Sequence, residues 1–181
     1  MEVIDLPLAG LRLLKPRVFK DSRGFFLESY HQERCREIGI ETSFVQDNHS
    51  RSTLGTLRGL HYQSRPGQAK LIRVGLGRIF DVAVDIRADS PTFGRWHGTY
   101  LDGEEHQQLY VPIGFAHGFC VVSEIADVLY KVSNPYDAAT ESTISWNDAD
   151  IGVAWPVEVP LLSARDQQGE SFAEYVRRVK R

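Results

Sequence analysis

The sequence predicts an all-β protein, an antiparallel sandwich or barrel with a few short peripheral helices. Period-two patterning is the first sign. In RIFDVAVDIR (78–87), Phe80, Val82, Val84 and Ile86 share one parity while Asp81, Ala83 and Asp85 share the other, the pattern of a half-buried strand. The second sign is the spacing of such runs, which are short and divided by Gly, Pro, Asn and Asp. The third is the scarcity of helix signals.

In chain order, Tyr30 to Ile38 reads as a short helix ended by Gly39. Strand-like runs follow in AKLIRVGL (69–76), RIFDVAVDIR, TFGRWHGTYL (92–101), QLYVPIG (108–114), HGFCVV (117–122), DVLYKVS (127–133) and STISW (142–146). SFAEYVRRVKR (171–181) reads as a second helix. Closing the sheet on itself would also remove exposed edges.

The 181 residues suit one domain, 1–181, with a substantial core. A net charge of -3 leaves no global field to draw in nucleic acid or an anionic membrane, so an anionic ligand must be caught by local positive charge. Cys35 and Cys120 form no CxxC pair, which fits a reducing, cytoplasmic setting. The start, MEVIDLPLAG, lacks the basic region and apolar run of a signal peptide, and no stretch reaches membrane-spanning length.

Parity also places polar residues among apolar ones. Lys70 is in phase with Ile72, Val74 and Leu76; His117 with Phe115, Phe119 and Val121; Tyr130 with Val128 and Val132. If those apolar residues face the interior, a lysine, a histidine and a tyrosine face it too. Each has a plain structural alternative: Tyr130 as core packing, His117 as a hydrogen-bonded interior histidine, Lys70 snorkelling at a strand end. Charges are costly to bury without a partner or a task. His61, in TLRGLHYQ (56–63), reads equally as a site residue or a core one. Arg58 and His61 have opposite parity, so both line one site only if a bulge, at Gly59, re-aims one of them.

A metal centre is disfavoured. Metal-binding cupin barrels present HxH, then a carboxylate, then a distant histidine, but Tyr62 and Gln63 follow His61, and His97 and His106 lie in other segments. No GxGxxG loop follows a strand, so no nicotinamide site is expected.

Nine stretches, in order along nearly the whole chain, resemble the dTDP-4-dehydrorhamnose 3,5-epimerase family. They are DSRGFFLESY (21–30), FVQDNHSRS (44–52), LRGLHYQ (57–63), GQAKLIRV (67–74), FDVAVDIRADSPTFGRW (80–96), VPIGFAHGF (111–119), LYKVSNPY (129–136), ISWNDADIGVAWP (144–156) and LSARDQQG (162–169). The resemblance implies a cupin-like jelly roll without metal or cofactor, usually a homodimer with strand exchange near the N-terminus. It implies a dTDP-4-keto-6-deoxyhexose as substrate. Carried over by residue, it makes His61 the general base, Tyr130 the acid on the opposite face, Asp166 the partner that orients His61, and Lys70 the cation for the enolate oxygen. Arg23, Glu28, Gln46, Asn48, Arg58, His117, Glu141 and Arg165 match substrate-contacting positions, and Tyr136 the position that stacks on thymine. At position 165 the family commonly has lysine; arginine keeps the charge but replaces a point charge with a fork of donors.

These residue types suit the chemistry. A C4 ketone acidifies the protons on C3 and C5, a carboxylate-oriented histidine can remove them, and a fixed cation stabilises the enolate. Guanidinium forks at Arg23 and Arg58 suit a diphosphate. The rivals are a single-centre epimerase, which could keep the same base, a silent sugar-nucleotide-binding barrel, and a metal-dependent cupin oxygenase.

Overall fold

The computed structural model describes residues 1–180. Its strands are β1 (Glu2–Asp5), β2 (Arg12–Lys15), β3 (Val18–Asp21), β4 (Gly24–Leu27), β5 (Gln46–Thr53), β6 (Leu57–Gln63), β7 (Lys70–Leu76), β8 (Arg78–Asp85), β9 (Trp96–Asp102), β10 (Gln108–Val111), β11 (Phe115–Val121), β12 (Ile125–Val132) and β13 (Glu141–Thr143). Two short helices join them, α1 (Gln32–Glu37) and α2 (Phe172–Val179). The first helix forms inside the expected span, and Gly39 at φ +77° turns the chain after it. The second lies within 171–181. Ser171 and Glu174 make a reciprocal capping box at its start, and Arg181 lies outside the described residues.

The strands build two facing antiparallel sheets, a jelly-roll sandwich. One runs β1-β2-β10-β7-β12-β5, the other β13-β6-β11-β8-β9. β3 and β4 form a separate hairpin, on which Phe19, Phe25 and Phe26 are exposed, Phe26 at 69%. No helix among the described residues is long and apolar enough to cross a membrane.

The core between the sheets includes Ile72, Val74, Phe115, Phe119, Val121 and Val128. The expected phase therefore holds for β11, for β12 and for β7 as far as Val74, while Leu76, expected inward, is exposed. It fails for β8, which is buried on both faces rather than half-buried. Ile79 and Ala83 face the inter-sheet core, whereas Phe80, Val82 and Val84 pack outward against Ile151, Phe172 and Tyr175. The C-terminal segment covers that face, and Tyr175 donates its hydroxyl proton to the Ile86 carbonyl at 2.7 Å. Asp81 and Asp85, of the opposite parity, are fully buried as well, Asp81 bonded to His117 and Asp85 to Arg87, Ser90 and Thr92. A third cluster, Leu14, Cys35, Ile40 and Leu71, sits between the other sheet and α1.

Candidate active site

β6 and β11 pair with His61 opposite His117 and Arg58 opposite Phe119. Three steps on β6 thus match two on β11, so β6 carries one extra residue, a bulge at Gly59–Leu60. Gly59 is required there. Its φ is +139°, and a Cβ would lie 2.5 Å from the Gly118 Cα. Gly59→Ala is expected to cost at least about 1–3 kcal/mol from backbone strain alone, before the overlap is counted. Urea unfolding checks this, and an unchanged midpoint would refute the requirement.

The bulge turns Arg58 and His61 into one cavity of about 290 Å³, open between the sheets and lined also by Ser50, Lys70, His117, Phe119, Tyr130, Tyr136, Glu141 and Arg165. Asp166 closes it from behind. A bridge from Thr56 to Leu161 brings the SARDQ segment under β6. There Asp166 Oδ1 meets His61 Nε2 at 2.5 Å. Ser163 donates its hydroxyl to Asp166 Oδ2 at 2.6 Å, and the Gly59 amide donates to Oδ1 at 3.3 Å.

Burial works to raise the pKa of Asp166, but the bonds from His61 and Ser163 hold it below the usual carboxylate value. An ionised Asp166 accepts from Nε2–H, which fixes the tautomer and leaves the His61 Nδ1 lone pair unused. Burial pushes His61 below the ordinary histidine value, against the opposing pull of Asp166 and with help from the Lys70 charge. The lowering favours the neutral imidazole, the form that can accept a proton, at neutral pH.

Lys70 opens β7 and lines the cavity, with no carboxylate in contact among the described residues. Burial pushes its pKa down to about 8, although Glu141 and Asp81 act to keep its proton. Tyr130 comes from β12, in the opposite sheet to His61. Burial, and then the Glu141 charge, raise its pKa, while Arg58 opposes them. Its hydroxyl makes no hydrogen bond within the described residues.

The other candidates divide. His117 binds Asp81 through Nε2 at 2.9 and 3.0 Å, a second histidine–carboxylate pair beside the first. Arg165 donates to Glu141 at 2.6 Å. Gln46 and Asn48 share the inner face of β5; Gln46 donates to Asn48 Oδ1 at 2.8 Å and accepts from the Tyr136 amide at 3.1 Å. Arg23 and Glu28 are elsewhere. Arg23 lies on the exposed β3–β4 hairpin, 89% open to solvent and paired with Asp21, and Glu28 accepts from Arg34 at 2.7 Å. Among the described residues, no three His, Cys, Asp or Glu side chains gather into a metal-like group.

Sequence reasoning missed Ser50, Asp81 and Ser163. For Ser50 the signal was parity: Gln46, Asn48, Ser50 and Ser52 alternate along one face of β5. For Asp81 it was an acid inside an apolar run. Ser163 had only its place three residues before Asp166.

The chain matches the dTDP-4-dehydrorhamnose 3,5-epimerase family over residues 5–174. It is 51% identical over 176 residues to the dTDP-4-dehydrorhamnose 3,5-epimerase of Pseudomonas aeruginosa, covering 96% of this chain and 97% of that one. A Neisseria gonorrhoeae protein of the same description is 49% identical over 175 residues, but the chain spans only 53% of its length. Among solved structures, a dTDP-6-deoxy-D-glucose-3,5-epimerase from Legionella pneumophila in complex with dTDP-4-keto-L-rhamnose superposes with a TM-score of 0.92 at 44% identity, covering 96% of each chain.

Proposed function

Because the chain belongs to the dTDP-4-dehydrorhamnose 3,5-epimerase family, we propose that it inverts C3 and C5 of a dTDP-4-keto-6-deoxyhexose, turning dTDP-4-dehydro-6-deoxyglucose into dTDP-4-dehydrorhamnose. One observation carries the reading. An oriented histidine base stands in one sheet, an unpaired tyrosine hydroxyl in the facing sheet, and a buried ammonium in the same cavity.

Inversion by proton transfer needs a proton taken from one face of the ring and returned to the other. A sugar lying between the sheets meets His61 on one wall and Tyr130 on the opposite one. His61 Nδ1 removes the proton from the carbon beside the C4 ketone, and Asp166 stabilises the imidazolium that forms. Negative charge then gathers on O4, where Lys70 is already desolvated and aimed. Tyr130 delivers its hydroxyl proton to the far face. Once His61 has released its proton to solvent and the Tyr130 phenolate has taken one up, the same cycle at the second carbon inverts it. Arg58, His117, Gln46, Asn48, Glu141 and Arg165 hold the nucleotide sugar, and Tyr136 stacks on the thymine. Proton NMR of dTDP-4-keto-6-deoxyglucose with the enzyme in deuterated water tests the whole reading. Deuterium at C3 and C5 with inversion at both is expected; inversion at only one centre makes the chain a single-centre epimerase.

The pH dependence follows from the two shifted groups. As pH falls through the lowered pKa of His61, the base is protonated and rate is lost. As pH rises through about 8, Lys70 gives up its proton and the enolate loses its cation. The profile of kcat/KM should therefore have an alkaline limb near pH 8 and an acid limb below the ordinary histidine value. Lys70→Met should slow the reaction and erase the alkaline limb; a limb that stays in that variant belongs to another group.

The active species is proposed to be a homodimer in which the β3–β4 hairpin reaches the partner subunit's cavity, bringing Arg23 and Glu28 to the diphosphate. The exposed Phe19, Phe25 and Phe26 support this, since a two-stranded hairpin bearing three exposed phenylalanines gains by being covered. Light scattering should give twice the chain mass; a monomer at assay concentration with full activity would sink the idea.

A further inference from the structure

Among the buried side-chain nitrogen and oxygen atoms of the described residues, one lacks a hydrogen-bond partner: Ser50 Oγ. It lines the candidate active-site cavity. Buried hydroxyls are nearly always satisfied, and leaving one bare costs free energy. Its neighbours on the same strand face are already bonded. Gln46 and Asn48 bond each other, and Ser52 accepts from Arg58 at 3.0 and 3.1 Å. Ser50 is the gap in an otherwise complete row.

We infer that Ser50 is a specificity-determining residue whose missing partner is the C2 hydroxyl of the bound sugar. The inference rests on the epimerase reading above and deepens it. Its place in the sheet argues for the sugar rather than the diphosphate. Asn48 stands opposite Tyr130 on β12, so Ser50 is the next inward residue, a diagonal neighbour of the proton donor at roughly 7 Å. A pyranose ring touching Tyr130 spans that gap. The Ser50 hydroxyl presents almost no surface to water in the unliganded chain, so only a group that enters the cavity and turns it inward can bond it, whereas Arg58 is exposed, and a hydrated dianion belongs beside the exposed cation. Among the sugar oxygens, O4 is the ketone and goes to Lys70. The C3 hydroxyl changes face during the reaction. The C2 hydroxyl keeps its position in substrate and product, so one fixed partner serves both.

A site built to bond a hydroxyl discriminates against the analogue that lacks it. The test is Ser50→Ala assayed on dTDP-4-keto-6-deoxyglucose and on its 2-deoxy analogue. On the parent substrate, kcat/KM should fall roughly tenfold, the cost of one lost hydrogen bond. On the 2-deoxy analogue, wild type and variant should agree within about twofold, and affinity for dTDP alone should be unchanged. The melting temperature of the free variant should hold or rise, because an unsatisfied hydroxyl has been removed. Equal losses on both sugars, a weaker dTDP complex, or a destabilised protein with full activity would each overturn the assignment. Wild-type turnover of the parent substrate is the control: its absence would refute the epimerase reading itself, while its presence with an indifferent variant would refute only the role of Ser50.

Discussion

His61→Asn is expected to abolish deuterium incorporation at both C3 and C5 while leaving the fold intact. Asparagine cannot take a proton from carbon, and Lys70 is protonated below about pH 8. His117 carries the same Nε2–carboxylate bond, to Asp81, as His61 does to Asp166, and the family resemblance is what assigns the base to His61, so His117→Asn, expected to keep exchange, is the control. General-base removal typically costs about 10²–10⁴-fold, and loss of a sole base belongs at the upper end. Stability should change little, since the His61 side chain is 23% exposed and its main bond is to Asp166, which keeps Ser163 and the Gly59 amide. Circular dichroism and thermal melting establish folding, and NMR in deuterated water reads exchange. Exchange near the wild-type rate in a folded variant would falsify the assignment.

Tyr130→Phe should separate two events that wild type couples. Proton removal depends on His61 and survives. Proton return from the facing sheet depends on the Tyr130 hydroxyl and is lost. The variant should therefore still exchange protons with solvent, while inversion at one or both carbons falls by about 10²-fold or more. The change removes a hydroxyl and little volume. Because that hydroxyl makes no hydrogen bond within the described residues, the packing of Tyr130 beside the inter-sheet core should persist. The measurement is the ratio of epimer formed to deuterium incorporated at each carbon. An unchanged ratio at both would leave Tyr130 a packing residue and the acid still to be found.

What could be read from the sequence depended on what stands on the second face of each strand. β7 and β12 show their inward phase because polar or exposed positions interleave with it, and β11 shows it although both faces are buried, because its other positions are the small Ala116, Gly118 and Cys120. That phase alone places Lys70, His117 and Tyr130 inside. β8 misled, because the C-terminal segment covers its outer face while Asp81, bonded to the distant His117, and Asp85, bonded to the nearby Arg87, Ser90 and Thr92, are buried too. β5 gave no apolar alternation at all: its inner face is Gln46, Asn48, Ser50 and Ser52. The pairing of His61 with Asp166 spans 105 residues of sequence and is created by tertiary contact, so no local pattern announces it. The exposed hairpin offered no burial pattern of its own, and β3 and β4 went unread.

The polar inner face of β5 has an evolutionary corollary. An edge strand that gives the cavity a wall and the inter-sheet core almost nothing can change its side chains without opening voids among Ile72, Phe115 or Val128. The acid–base pair, by contrast, is anchored on strands packed into hydrophobic clusters, β12 into the inter-sheet core and β6 into the outer cluster with Ile144 and Tyr175. Selection for a new sugar could therefore rewrite residues 46, 48, 50 and 52 one at a time, at low thermodynamic risk, while inheriting the proton-transfer apparatus unchanged. Directed libraries confined to those four positions should yield mostly folded proteins with shifted substrate preference, a separation of adaptability from stability built into the sheet order.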